Sequence, residues 1–274
     1  MTHPEPSSRG VPRRNFLAGA LLAVGAVVSA CGEGGSGSEA ATTSRAAASS
    51  TTAVTTPAST TPPTVASTAP ATARFIASGP SDQRRIALTF HTNGDLDLAG
   101  ELLDVLARRQ VRITSFIVGN WLEANPDMAT RIADGGHEFA NHTYTHPTFS
   151  QLSPDAMLAE IVQCRDVLTR LTGGPGVAFR PSGTDDGTTS PGEQVLDVAA
   201  QAGYGVVLGF DVDPLDYNDP GADVIVQATL AAVGPGSIVS LHFGHPGTVT
   251  ALPAILDGLD AKNLQPVTVS ALLS

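Results

Sequence analysis

From Arg85 onward, short β-rich apolar runs alternate with stretches whose apolar residues recur at helical spacing, and this rhythm limits the architectures open to the chain. The strand-like runs fall at residues 85–90, 111–118, 137–141, 177–180, 206–210, 238–242 and 266–269. Between them, residues 96–109, 126–134, 153–171, 192–202, 222–233 and 252–259 read as helices. Ser153 followed by Pro154 supplies a cap and a first-turn proline for the long third helix. Strand and helix in regular alternation indicate a parallel sheet with helical crossovers. About seven repeats favour closure over an open sheet. The expected fold is therefore α/β, a distorted (β/α)7-type barrel spanning residues 74–274.

Polar residues gather where these strands end. Five of the six histidines beyond the N-terminal leader, His91, His142, His146, His242 and His245, lie at or just after a strand's C-terminal end. So do Arg180, Asp211 and Asp213. In a β/α barrel those ends share one face, and the active site is built there. His137 stands instead at a strand's start and reads as a structural histidine. His142 and His146 are four apart, which on a helical or tightly turned segment brings both rings to one side. Two histidines and a carboxylate form a common catalytic zinc set, although the pair alone also fits two ordinary polar residues.

Four ordered motifs make the reading specific. The stretch Gly136-His-Glu-Phe-Ala-Asn-His-Thr-Tyr-Thr-His146 resembles the metal-binding motif of the polysaccharide deacetylases, the NodB-homology domains of carbohydrate esterase family 4. Phe179-Arg180-Pro181-Ser182-Gly183 resembles the family's arginine motif, one residue shorter. Asp213-Pro214-Leu215-Asp216-Tyr217 resembles its Asp-x-x-Asp-Trp motif, with Tyr217 for the tryptophan. Gly236-Ser-Ile-Val-Ser-Leu-His242 resembles its last strand, with Ser240 where the family has leucine and Phe243 where it has an acidic residue. The first motif departs furthest. The family's Thr-Phe-Asp-Asp-Gly is here Thr89-Phe90-His91-Thr92-Asn93-Gly94-Asp95, so His91 stands in the base position and Thr92 in the metal position.

The resemblance implies a metal-dependent hydrolase that removes N-acetyl groups from a polysaccharide such as peptidoglycan or a chitin-like glycan. His142 and His146 would bind a divalent metal, zinc foremost, with Asp95 as third ligand if the Gly94 turn folds back; Asp95 equally suits a cap for the following helix. His91 would act as general base or as an additional ligand. His242 would protonate the leaving amine, Asp213 would hold His242, and Arg180 would orient the base-side residues. Tyr144, Tyr217 and Trp121 could stack on sugar rings or simply pack in the core. The altered first motif also admits a non-catalytic, surface-bound glycan binder, or a related metal hydrolase of another amide or ester.

The N-terminal part is not built to fold. Arg13-Arg14-Asn15-Phe16-Leu17 reads as a twin-arginine export signal before a short, Ala- and Gly-rich apolar stretch. It ends Val28-Ser29-Ala30-Cys31, which resembles a bacterial lipobox, so residues 1–31 form a lipoprotein signal with Cys31 as the lipidation site. The protein would then be exported and lipid-anchored to the outer face of the cytoplasmic membrane. Residues 32–73, rich in Ser, Thr, Ala and Pro, read as a flexible tether. With 26 acidic against 15 basic residues and no basic stripe, the chain is not a nucleic-acid binder. Its two cysteines, Cys31 and Cys164, give no disulfide framework.

Overall fold

In the computed structural model the described residues are 72–184 and 186–274. The twin-arginine signal, Cys31 and the tether up to residue 71 lie outside them. The strands are β1 (Arg74–Ile76), β2 (Arg85–Thr92), β3 (Thr114–Ile117), β4 (Glu138–Asn141), β5 (Val206–Leu208), β6 (Ile238–His242) and β7 (Gln265–Val267). The helices are α1 (Leu96–Arg109), α2 (Gly119–Ala124), α3 (Asp127–Asp134), α4 (Pro154–Thr172), α5 (Glu193–Gln201), α6 (Ala222–Ala232), α7 (Pro246–Ala261) and α8 (Val269–Leu272).

The sheet is organised about β2, which is covered on both faces and so reads as a nearly continuous apolar run. It pairs in parallel with β3 on one side and β6 on the other, while β7 pairs with its first half. Beyond β3 comes β4, also parallel. From β4 the path continues through single bridges, Asn141 to Phe179 and Phe179 to Val207 of β5, and Val212 bridges Val239 of β6. The all-parallel barrel expected from the sequence is thus completed by bridges rather than by a full ladder. Strand β1 adds to β5.

Side-chain alternation gives each strand two duties. Ile86, Leu88 and Phe90 of β2, with Val239 and Leu241 of β6, pack against Leu102, Leu106, Leu252 and Ile255 of the surrounding helices. Residues of the other parity, Ala87 and Ile238, join Phe116, Ala140, Ala178, Leu208 and Phe210 in a separate interior cluster. That inner parity also carries Thr89, His91, Ser240 and His242. Among the described residues no helix is long and apolar enough to cross a membrane.

Two expected elements change. Residues 177–180 make no ladder, and only Phe179 bridges its neighbours. The last strand stops at Val267, because the Thr268 hydroxyl caps the backbone N–H of Ala271 and starts α8 at Val269. Helix α4 begins as its sequence indicates, with the Ser153 hydroxyl accepting from Ala156 N and Pro154 in the first turn.

Candidate active site

Register places the first two groups. His91 of β2 and His242 of β6 are Cα partners in a parallel pair, so their side chains leave the same face at the same level, with ring centroids 4.4 Å apart. His142 directly follows β4, fully buried, and its ring lies 4.1 Å from that of His91. His146 completes the row, 4.9 Å from His142.

The segment carrying His142 and His146 is an irregular loop with Thr143 at φ 70° and His146 at φ 60°. A β-branched residue in the left-handed region costs of order 1–3 kcal/mol and persists only where its surroundings fix it. Here they do. Asn141 Oδ1 accepts from Thr143 N, and Gly119 N and Asn120 N donate to the carbonyls of Thr143 and Tyr144. From α4, Glu160 Oε2 accepts from the N–H groups of both Tyr144 and Thr145 at 2.8 Å, and Glu160 Oε1 accepts from the Thr145 hydroxyl. The loop is therefore held in place from outside the barrel by one carboxylate. Sequence reasoning missed Glu160, since one acid in a long helix carries no local mark of a distant loop.

The donor set suits a metal. His142 Nδ1 lies 2.9 Å from the Arg180 carbonyl and so carries the proton, which leaves Nε2 as a lone pair; that nitrogen is buried without a partner. A backbone carbonyl fixing the tautomer of a ligating histidine is a recurrent outer-shell arrangement. One ring nitrogen each from His91, His142 and His146 lies within 4.8 Å of the others. Burial, and then the neighbouring imidazoles, hold His91 and His142 well below the ordinary histidine range; burial also lowers His146. All three are neutral at pH 7, the form that ligates.

Arg180 is itself buried, stacked 4.0 Å from the centre of the Phe116 ring. It donates to Thr89 Oγ1 at 3.0 Å, to the Leu208 and Gly209 carbonyls, and to His91 Nε2 at 3.1 Å. A guanidinium cannot accept, so His91 Nε2 carries the lone pair in this arrangement. Ligation by His91 would exchange that bond, and Arg180 would keep its three oxygen partners. Burial pulls the guanidinium down to about 9, with Asp213 opposing, so it stays charged at neutral pH.

The partner of His242 is Asp216 and not Asp213. Asp216 is fully buried; its Oδ1 lies 2.7 Å from His242 Nδ1, while Oδ2 accepts from His242 N and from the Thr248 hydroxyl at 2.6 Å. Asp213 instead closes a turn, accepting from Leu215 N at 2.8 Å. Leu215 then takes φ 55°, and the one-turn helix Asp216–Asn218 swings Asp216 beneath His242. A cavity of about 330 Å³ opens over this face, lined by His91, His146, Asp213, Tyr217, Ser240 and His242 among others. Tyr217 stands at its edge, 5.1 Å from the His242 ring.

Three expected site residues lie elsewhere. Asp95 is the N-cap of α1, with Oδ1 accepting from Asp97 N and Leu98 N, and it is not part of the imidazole cluster. The Tyr144 hydroxyl donates to Glu123 at 2.6 Å, beside α2 and α4 rather than in the cleft. Trp121 Nε1 donates to the Gly94 carbonyl and ties α2 to the turn before α1. Thr92, in the family's metal position, turns its hydroxyl back to the Phe90 carbonyl.

One face of an irregular parallel barrel thus gathers three imidazoles that could hold a metal ion and a buried Asp–His pair at its strand ends. Residues 78–207 match the polysaccharide deacetylase family. A chitooligosaccharide deacetylase of Rhizobium leguminosarum bv. trifolii is 35% identical over 194 residues, which cover 71% of this chain and 85% of that one. The structure of a peptidoglycan N-acetylglucosamine deacetylase in complex with a naphthyl-substituted N-hydroxybenzamide superposes with a TM-score of 0.67 at 30% identity, covering 73% of this chain and 92% of the other. A CE4 family pseudoenzyme from Bacillus anthracis gives 0.66 at 25% identity, over 73% and 69% of the two chains. The chain belongs to the polysaccharide deacetylase family.

Proposed function

We propose that this protein removes N-acetyl groups from an N-acetylated polysaccharide, peptidoglycan or a chitin-like glycan, outside the cytoplasmic membrane. The observation that carries the reading is the buried, unpartnered Nε2 of His142, facing two further imidazoles beside the Asp216–His242 pair. His91, His142 and His146 would hold one divalent cation, zinc by the chemistry of an all-nitrogen donor set; when bound it supplies a water of lowered pKa and polarises the amide carbonyl.

The other roles follow from the chain's own groups. Asp216 holds the proton of His242 on Nδ1, which leaves Nε2 as the atom that passes a proton to the departing amine nitrogen. With His91 engaged as a ligand, Asp213 is the one carboxylate among the described residues lining the cleft. It is the group placed to take the proton of the attacking water, and burial raises it above the usual carboxylate range. Tyr217, exposed at the edge, offers a face for a sugar ring. The relatives named for chitooligosaccharide and for peptidoglycan support the substrate class. Export and a lipid anchor at Cys31 rest on the twin arginines and on Val28–Cys31.

Elemental analysis of the purified protein, with release of acetate from N-acetylglucosamine oligomers, tests the reading. Stoichiometric zinc and turnover are expected in the wild type, and loss of both in His142→Ala. His91→Ala should lose metal affinity; unchanged metal content there would return His91 to the base-side role that its Arg180 bond resembles. A metal-loaded wild type that binds oligomers without turnover would establish the glycan-binding alternative, for which the CE4 family pseudoenzyme is a structural precedent.

A further inference from the structure

Ser240 is a buried hydroxyl with nothing to bond. It is 1% exposed, its Oγ has no hydrogen-bond partner, and it lines the active-site cleft. On β6 it lies one inner-face step below His242, and it is level with Thr89 of β2. Successive residues on one face of a strand are about 7 Å apart. A desolvated hydroxyl without a partner is a standing cost that a ligand able to complete it would remove.

The hydroxyl's position shows which part of a substrate would meet it. On the proposed deacylase reading, the leaving nitrogen faces His242 and the carbonyl oxygen faces the three imidazoles. The remaining substituent on the acyl carbon then points inward, along β6, past Phe210 and toward Ser240. A serine at this inner position leaves more room than a larger apolar side chain would, and supplies a donor and an acceptor. A methyl group would leave that space part-filled and the hydroxyl still unpaired. A hydroxymethyl group fits both the volume and the bond.

We propose that this site accepts a 2-hydroxyacyl amide, an N-glycolyl group, in preference to N-acetyl, with Ser240 as the residue that sets the preference. The inference rests on the deacylase reading only for the orientation of the acyl group. The reaction remains an amide hydrolysis: water adds its oxygen to the acyl carbon, the C–N bond breaks, His242 protonates the nitrogen, and glycolate and a free amine result.

The test compares N-glycolyl- and N-acetylglucosamine oligomers on the zinc-loaded protein, with free amine as the readout. In the wild type kcat/KM should favour the glycolyl substrate about tenfold, the scale set by one buried hydrogen bond gained. Ser240→Ala should bring the ratio near one, and Ser240→Leu should reverse it in favour of acetyl. A wild-type preference for acetyl, or a ratio that Ser240→Ala leaves unchanged, would overturn the proposal. If neither substrate turns over, the deacylase reading fails separately, and calorimetric Kd values of the two oligomers decide the matter. A glycolyl preference that Ser240→Ala abolishes would support the role of Ser240, and equal Kd values would refute it.

Discussion

Asp213 and Asp216 sit three residues apart in one motif and face different tasks, one lining the cleft and one buried against His242. Removing the charge from Asp216 should leave the metal in place and lower kcat on the order of 10²-fold, because His242 loses the group that fixes its tautomer. Steady-state kinetics with metal analysis on Asp216→Asn checks this; wild-type kcat would refute it. Asp95 gives the complementary result. As a helix cap it should cost about 1 kcal/mol when changed to alanine, a fall in Tm of ~2–4 °C for a domain of this size, with no loss of metal. Thermal melts and zinc content of Asp95→Ala separate the cap from a ligand. The cap was legible in the sequence, since Asp before a helical run is a start signal. The division of labour between Asp213 and Asp216 was not, because it depends on the αL turn at Leu215 and on which carboxylate reaches a strand 26 residues further on.

At the scale of elements, the links between strands matter as much as the strands. His137, just ahead of β4, accepts a hydrogen bond from Ile113 N, just ahead of β3, and so joins their starts. Burial, with Arg112 adding to it, lowers His137 from 6.5 to about 4. The unfolded chain therefore binds more protons between those values. The contribution to stability is fully present above pH 6.5 and is lost as pH falls toward 4, roughly 2–3 kcal/mol in all. Denaturant melts of wild type and His137→Asn across that range should differ in slope, with the variant flatter; parallel curves would show that His137 stays protonated alike in both states. The strands β2, β4 and β6 and the helices α1, α3 and α4 could be read from periodicity and capping. Strand β1 could not, because three residues make no pattern, and the run at residues 177–180, readable as a strand, is reduced in the fold to the single bridging residue Phe179.

For the molecule as a whole, the polysaccharide deacetylase domain and the proposed export segment make separate predictions. Fatty-acid labelling and membrane association should depend on Cys31, and Cys31→Ala should release an unlabelled protein whose activity on soluble oligomers is unchanged. Retained labelling would show the lipid to be attached elsewhere. The placing of His91 opposite His242 carries a consequence for how such a chain can vary in length. Every side chain on a strand changes face when its register slips by one. A one-residue insertion within β2 ahead of His91 would turn that imidazole from the cleft into the helix-facing core, whereas a two-residue insertion would keep its face and shift its height. Length variation among active descendants should therefore be absent from the cores of β2 and β6, or come in pairs there.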